Sequence, residues 1–149
     1  MNQLSLSIQG ASKFEQLPAR STVLRWVAAA LERDAELTLR YVDAREGRKL
    51  NRDFRHKDYA TNVLTFNYAH EPVVMADIVI CVPVLRREAR EQKKTFREHL
   101  AHLVVHGVLH AQGYDHERVR DAKVMEALEV EILAGLGIDD PYASAAQAH

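Results

Sequence analysis

The chain has 149 residues, 47% hydrophobic and 28% charged, enough for one domain with a single buried core and without a Pro/Gly/Ser-rich break, repeat or low-complexity tract to divide it. A formal net charge of -1 argues against a uniformly basic nucleic-acid binder, the one cysteine excludes an internal disulfide, and the longest apolar run, Leu100 to Leu109, is too short to span a bilayer. The start, Met1-Asn2-Gln3-Leu4-Ser5-Leu6, lacks the basic and long apolar regions of a signal peptide, so a cytoplasmic protein is expected.

Leu4 to Ile8 alternates apolar and polar residues and predicts a strand with one buried face. Pro18 can open a helix whose apolar stripe is Val23, Leu24, Trp26, Val27, Ala30 and Leu31. Glu36 to Val42 alternates again as a second strand. Arg45 to Phe54 is expected to be a short helix with Leu50 and Phe54 inward, followed by a polar loop from Lys57 to Ala60 and a β-rich run at Val63-Leu64-Thr65-Phe66. The apolar stretch Val73 to Val82 predicts a strand buried on both faces, with Asp77 in need of a partner and Cys81 a buried small hydrophobe. Pro83 starts a helix to about Gln92, and Thr95-Phe96-Arg97-Glu98 has the form of a capping box opening the next. That helix ends at Gly113. A last helix carries Val119, Met125, Leu128, Ile132 and Leu133 on one side and stops at Gly135 or Gly137. Residues 1–138 are therefore expected to form one α+β domain, a small mixed sheet of about four strands covered by helices, with 139–149 a flexible C-terminal tail.

Charge is unevenly spread. Arg86 to Arg97 holds six bases against two acids, whereas Asp115 to the end holds eight acids against three bases. A basic sector of this kind suits a phosphate backbone, although charged helix faces are often only solvated.

The sharpest signal is His106-Gly107-Val108-Leu109-His110-Ala111-Gln112-Gly113-Tyr114-Asp115-His116. Histidines four apart share a helix face, and a glycine that leaves the helix can turn the chain so that His116 approaches the other two. Three converging imidazoles are the ligand set of a catalytic zinc, which keeps a fourth position for water, although such a set also accepts other divalent transition metals such as nickel, copper or iron. His99 and His102 fit supporting places in the core. The spacing matches the zinc-peptidase pattern H-E-x-x-H-x-x-G-x-x-H, except that Gly107 stands where those enzymes carry their glutamate base.

With its Gly-x-Leu core and Gly-Tyr-Asp turn, this segment resembles the signature of the YbeY family, metal-dependent endoribonucleases of bacterial ribosomal RNA maturation. Leu50-Asn51, Phe54-Arg55, Lys57-Asp58, Thr61 to Phe66, Asp77 to Cys81 and the stretch from Met125 to Leu136 are similar to family segments in the same order, and the resemblance covers about residues 4 to 138. Asn62 departs from a more usual aspartate and Ala76 from a common glycine. The resemblance implies a central metal-bearing helix, a zinc site of His106, His110 and His116, single-stranded ribosomal RNA as substrate, 16S rRNA 3′-end maturation and ribosome quality control as its setting, and contact with the small ribosomal subunit and assembly proteins. It also singles out Arg55, whose planar fork suits a phosphoryl group that gains charge, and Lys57 as a further phosphate contact. Asp58 is expected to brace this loop through Lys57 or Arg55, Asp115 to form a turn or support a histidine, and Tyr114 to pack. Two other readings accommodate the histidines: a zinc peptidase with a different base, and a non-catalytic ribosome-assembly factor whose metal only pins the fold.

Overall fold

The structure, a computed structural model, describes residues 2–115 and 117–143. Its elements in chain order are β1 (Leu4–Gln9), a 3-10 turn (Ala11–Lys13), α1 (Arg20–Ala30), β2 (Ala35–Val42), α2 (Ala44–Arg55), β3 (Val63–Ala69), β4 (Val74–Cys81), α3 (Val82–Glu91), α4 (Phe96–Ala111) and α5 (Val119–Gly135). The four strands form one sheet in the order β1-β2-β4-β3. β1, β2 and β4 run parallel and β3 returns antiparallel along β4. This is the expected mixed α+β sheet. Among the described residues no helix is long and apolar enough to cross a membrane.

Strand alternation sorts side chains onto two faces. Leu37, Leu39 and Tyr41 of β2, with Ala76, Ile78 and Ile80 of β4, belong to the main core together with residues of α1, α4 and α5. On the other face a smaller cluster gathers Val42, Leu64, Val79, Cys81 and Val84, with Leu50 and Phe66 against it. Only the carboxyl-terminal half of β4 is therefore buried on both sides. Nearer its start Met75 is exposed and Asp77 only half-buried, because the second cluster ends at Val79 and an open groove takes over. Asp77 lies in mid-strand and accepts a hydrogen bond from the Tyr68 hydroxyl at 2.7 Å, so the partner it needs is a tyrosine of the neighbouring strand.

Three smaller expectations change in the folded chain. Pro18 does not open α1, which begins two residues later with Ala19 as its N-cap; Pro83, in contrast, does lie in the first turn of α3. Phe54 is 62% exposed, because α2 turns Gly47 and Asn51 inward and leaves Phe54 edge-on to Phe66 at 5.4 Å between centroids. Val119 is 74% exposed: six residues from Met125 corresponds to about 240° around a helix, well off its face.

α4 is the central helix. It opens on a capping box, with Thr95 Oγ1 accepting from the Glu98 amide at 3.0 Å and Glu98 Oε1 accepting from the Thr95 amide at 3.1 Å. Eleven of its 16 residues are buried, since it packs on α1, α3, α5, β3 and β4. Gly107 sits where α4 meets the sheet. A Cβ built there would lie 2.8 Å from Ile78 Cγ2, closer than carbon atoms pack.

Two measurements follow from this packing. Gly107→Ala gains about 1 kcal/mol of helix propensity but loses roughly 1–3 kcal/mol by overpacking, and the fully buried Ile78 has little room to yield; a lower denaturation midpoint in urea is expected, and an unchanged or higher one would contradict the close approach. Cys81 is 2% exposed and burial pushes its thiol pKa up, so iodoacetamide should label the unfolded chain readily and the native chain hardly at all.

Candidate active site

α4 carries a column of histidines at positions 99, 102, 106 and 110, and three ring pairs along it have centroids 6.0–6.4 Å apart. The inner members are tied to carboxylates from flanking helices. His99 Nε2 lies 2.9 Å from Glu88 Oε1 of α3. His102 Nε2 lies 2.8 Å from Glu129 Oε1 of α5, and His106 Nδ1 lies 2.7 Å from Glu129 Oε2. His99 Nδ1 and His102 Nδ1 are buried with no hydrogen-bond partner among the described residues, so a proton there would be an unsatisfied buried donor. A neutral ring at either position would therefore carry its proton on Nε2, facing the acid. Burial also lowers the His99 pKa, against the opposing pull of Glu88.

Glu129 is the residue that sequence reasoning passed over. Its side chain is fully buried and accepts from His102, His106 and the Tyr142 hydroxyl. Burial alone would raise the carboxyl pKa, but the three donors outweigh it and hold the group at about 2. The signal was present: Met125, Glu129 and Leu133 are the buried residues of α5, so an acid interrupts an apolar i, i+4 stripe, and a buried acid demands donors. Tyr142 lies in the stretch expected to be tail. Lys94 Nζ donates to Pro141 O at 2.5 Å and the Tyr142 amide to Asp140 Oδ1 at 2.8 Å, while residues 144–149 of that stretch fall outside the described residues.

His106 and His110 line a pocket of about 240 Å³ together with Asn51, Arg55, Lys57, Tyr59, Thr61–Thr65. Four of the five expected site residues, Arg55, Lys57, His106 and His110, thus share one cavity. Local chemistry holds them there. α2 ends in the left-handed residue His56, and the buried Asn51 amide donates to Tyr59 O at 2.8 Å, pinning the loop that carries Lys57. Arg55 donates from Nη2 to Thr65 O at 3.0 Å, which turns its guanidinium over the start of β3. Asp58 does brace this loop, but through Arg48, which grips it with two hydrogen bonds of 2.8 and 2.9 Å, and not through Lys57 or Arg55. Asn62 bridges to α3, its amide 3.2 Å from Glu88 Oε1; an aspartate there would set two carboxylates against each other.

The fifth expected residue, His116, lies outside the described residues, and among the described ones no group of three or more His, Cys, Asp or Glu is gathered to hold a metal. The turn leading to it is well anchored. Gly113 has φ +103°, and amides 113 and 114 close back onto His110 O and Leu109 O, the pattern of a left-handed helix stop. Gln112 donates to Ala30 O at 2.7 Å and accepts from the Glu32 amide at 2.7 Å. The Tyr114 ring packs on the main core and its hydroxyl donates to Glu32 at 2.6 Å. Asn67 and His70 both reach Ala111 O, at 2.7 and 2.9 Å. Asp115 Oδ1 accepts from the Glu117 amide at 3.1 Å, a turn contact. The donor set suits a metal: with its Nδ1 proton engaged by Glu129, neutral His106 carries its lone pair on Nε2.

The basic sector has other work. Arg86 reaches Glu15 O and lies over the Phe96 ring, Arg97 lies over Trp26, Arg87 pairs with Glu91 and Lys94 holds Pro141. None of these bases lines the histidine pocket, where Arg55 and Lys57 supply the positive charge. A second, larger groove of about 770 Å³ adjoins it on the open part of the sheet and shares Arg55 and Thr65 with it; Arg40, Phe54, Tyr68 and Asp77 also line it.

Comparison with known proteins bears on this arrangement. The sequence profile described as "Endoribonuclease YbeY" matches residues 7–137. Proteins named endoribonuclease YbeY from Paracidovorax citrulli and Delftia acidovorans are each 59% identical, the matches covering 96% of this chain and 98% of theirs. The one from Methylibium petroleiphilum is 57% identical, over 95% of this chain and 94% of its own. A solution structure from Thermotoga maritima is 27% identical and superposes with a TM-score of 0.58, over 94% of this chain and 97% of that one. The chain belongs to the endoribonuclease YbeY family.

Proposed function

We propose that this protein is a metal-dependent endoribonuclease that cuts single-stranded RNA in ribosomal RNA processing, at the 3′ end of 16S rRNA, and in ribosome quality control. The observation that carries the reading is the pocket that joins His106 and His110 to Arg55 and Lys57. His106, His110 and His116 would hold one zinc ion. Bound there, it would supply the Lewis acidity that makes water or a ribose 2′-OH nucleophilic near neutral pH.

The remaining chemistry belongs to the chain. Phosphodiester cleavage gathers negative charge on the phosphoryl oxygens, and a preorganised donor lowers that barrier. Arg55 suits this part because it stays protonated and its hydrogen bond to Thr65 O fixes it beside the pocket before substrate arrives. Lys57 binds a phosphate as a point charge on a flexible stem. The surrounding α4 residues Leu103, Val105 and Leu109 are buried and limit water on the protein side. The same reading puts the protein in the cytoplasm, working on the small ribosomal subunit with assembly proteins. A peptidase is disfavoured at Gly107, where even a Cβ meets Ile78, leaving no room for a glutamate base.

The test compares zinc content and cleavage of 16S precursor RNA for the wild type, His110→Ala and Arg55→Ala. His110→Ala should lose both zinc and cleavage, and chelation should silence the wild type until zinc is returned. Arg55→Ala should keep its zinc and lose roughly 10²–10³-fold in kcat. RNA cleavage that survives in zinc-free His110→Ala would refute the metal's role. Hydrolysis of an unstructured protein instead of RNA would point to a peptidase, and zinc-loaded protein that binds ribosomes without cutting would point to an assembly factor.

A further inference from the structure

We infer that Glu129, backed by Tyr142, is a positioning residue that fixes His106 in its Nδ1–H tautomer and so aims the Nε2 lone pair for metal binding; the metal half of this inference rests on the zinc site proposed above.

The geometry divides the carboxylate's work. Among the described residues Oε2 meets one donor, His106 Nδ1 at 2.7 Å. Oε1 takes His102 Nε2 at 2.8 Å and the Tyr142 hydroxyl. A neutral imidazole with its proton at Nδ1 has its lone pair at Nε2, on the far side of the ring. A carboxylate on the rear nitrogen sets ring orientation and raises the basicity of the nitrogen that binds metal. His102 sits one turn earlier with its Nδ1 buried and unmatched, and it is absent from the pocket that His106 lines. It acts with Tyr142 to hold Oε1 still, which leaves Oε2 fixed for His106. A fully buried acid is no asset to stability on its own, since an apolar residue of similar volume often serves a core as well or better. Its placement behind a pocket-lining histidine accounts for its presence.

Tyr142 extends the device to a segment beyond α5. The chain turns back after Gly135, Lys94 Nζ holds Pro141 O, and the tyrosine ring packs edge-on to His102 at 5.3 Å between centroids. The residues after α5 therefore close the Oε1 side of the carboxylate and connect the end of the described chain to the histidine column.

The test has two readouts besides activity. Nitrogen NMR of the neutral form of the histidine rings in metal-free wild-type protein should show His106 as the Nδ1–H tautomer and His102 as the Nε2–H tautomer. A His106 ring in the Nε2–H form, or averaged between forms, would overturn the inference, and this measurement needs neither a variant nor a metal. Zinc affinity by chelator competition should then fall roughly 10–100-fold in Glu129→Gln, whose amide can accept on one side only. In Tyr142→Phe, which leaves the Oε2 contact in place, the fall should be smaller and the His106 tautomer unchanged. Wild-type affinity in a folded Glu129→Gln protein would refute the positioning role, as would a larger loss in Tyr142→Phe; should Glu129→Gln fail to fold, the wild-type tautomer and the Tyr142→Phe affinity decide. A wild type that binds no zinc yet shows the Nδ1–H tautomer would sink the zinc site while leaving the orienting role of Glu129 intact.

Discussion

α4 lies close on β4 where Gly107 faces Ile78, a Cβ at that position falling only 2.8 Å from Ile78 Cγ2. Much else depends on it. A helix buried on nearly every side must lie close to its sheet if its neighbours α1, α3 and α5 are to pack around it, and the glycine permits the backbone to come that near. The same contact sets the depth of His106 and His110, the residues at which the helix passes from the core to the pocket wall. A side chain at 107 would push both away from β3 and from Arg55. The missing glutamate of the peptidase pattern thus has a packing cause as well as a chemical meaning.

Burying a helix that carries His99 and His102 in the core creates a second demand, because each of these rings brings a polar edge into an apolar interior. The flanking helices answer it, α3 with Glu88 and α5 with Glu129. Each acid is shared. Glu88 also takes the Asn62 amide at the entrance to β3, and Glu129 also takes Tyr142. The histidines and their acids therefore form two short networks, one through Glu88 to Asn62 and one through Glu129 to Tyr142, that tie α4 to its flanking segments.

What could be read from the sequence, and what could not, follows from the range of the forces involved. Strands β1 and β2, the capping box at Thr95 and the glycine stop at Gly113 were legible because alternation, capping and positive φ are local properties of a few residues. The shared pocket of Arg55, Lys57, His106 and His110 was legible only through the family resemblance, since no spacing rule links α2 to α4. The exposure of Phe54, the half-open face of β4 and the pairing of Asp58 with Arg48 were not legible. Each depends on which element covers which part of the sheet. Glu129 was missed for a different reason: its acidity suggested solvent, although its place between Met125 and Leu133 pointed inward. In the basic sector the structure shows local contacts that the charge run did not announce, with Arg86, Lys94 and Arg97 meeting Glu15, Pro141 and Trp26.

The tethers around the histidine turn reach far along the chain. Gln112 and Tyr114 bond to residues 80 and 82 positions away, Asn67 and His70 to one 44 and 41 away, and Glu129 to histidines 27 and 23 away. Contacts of such separation close late, because the loop entropy must be lost before they are gained. On a translating ribosome α4 emerges with its histidine column and finds Glu88 already made, but the acceptor for His102 and His106 is still to be synthesised. Until α5 and Tyr142 have left the exit tunnel, His102 and His106 lack the carboxylate that Glu129 supplies.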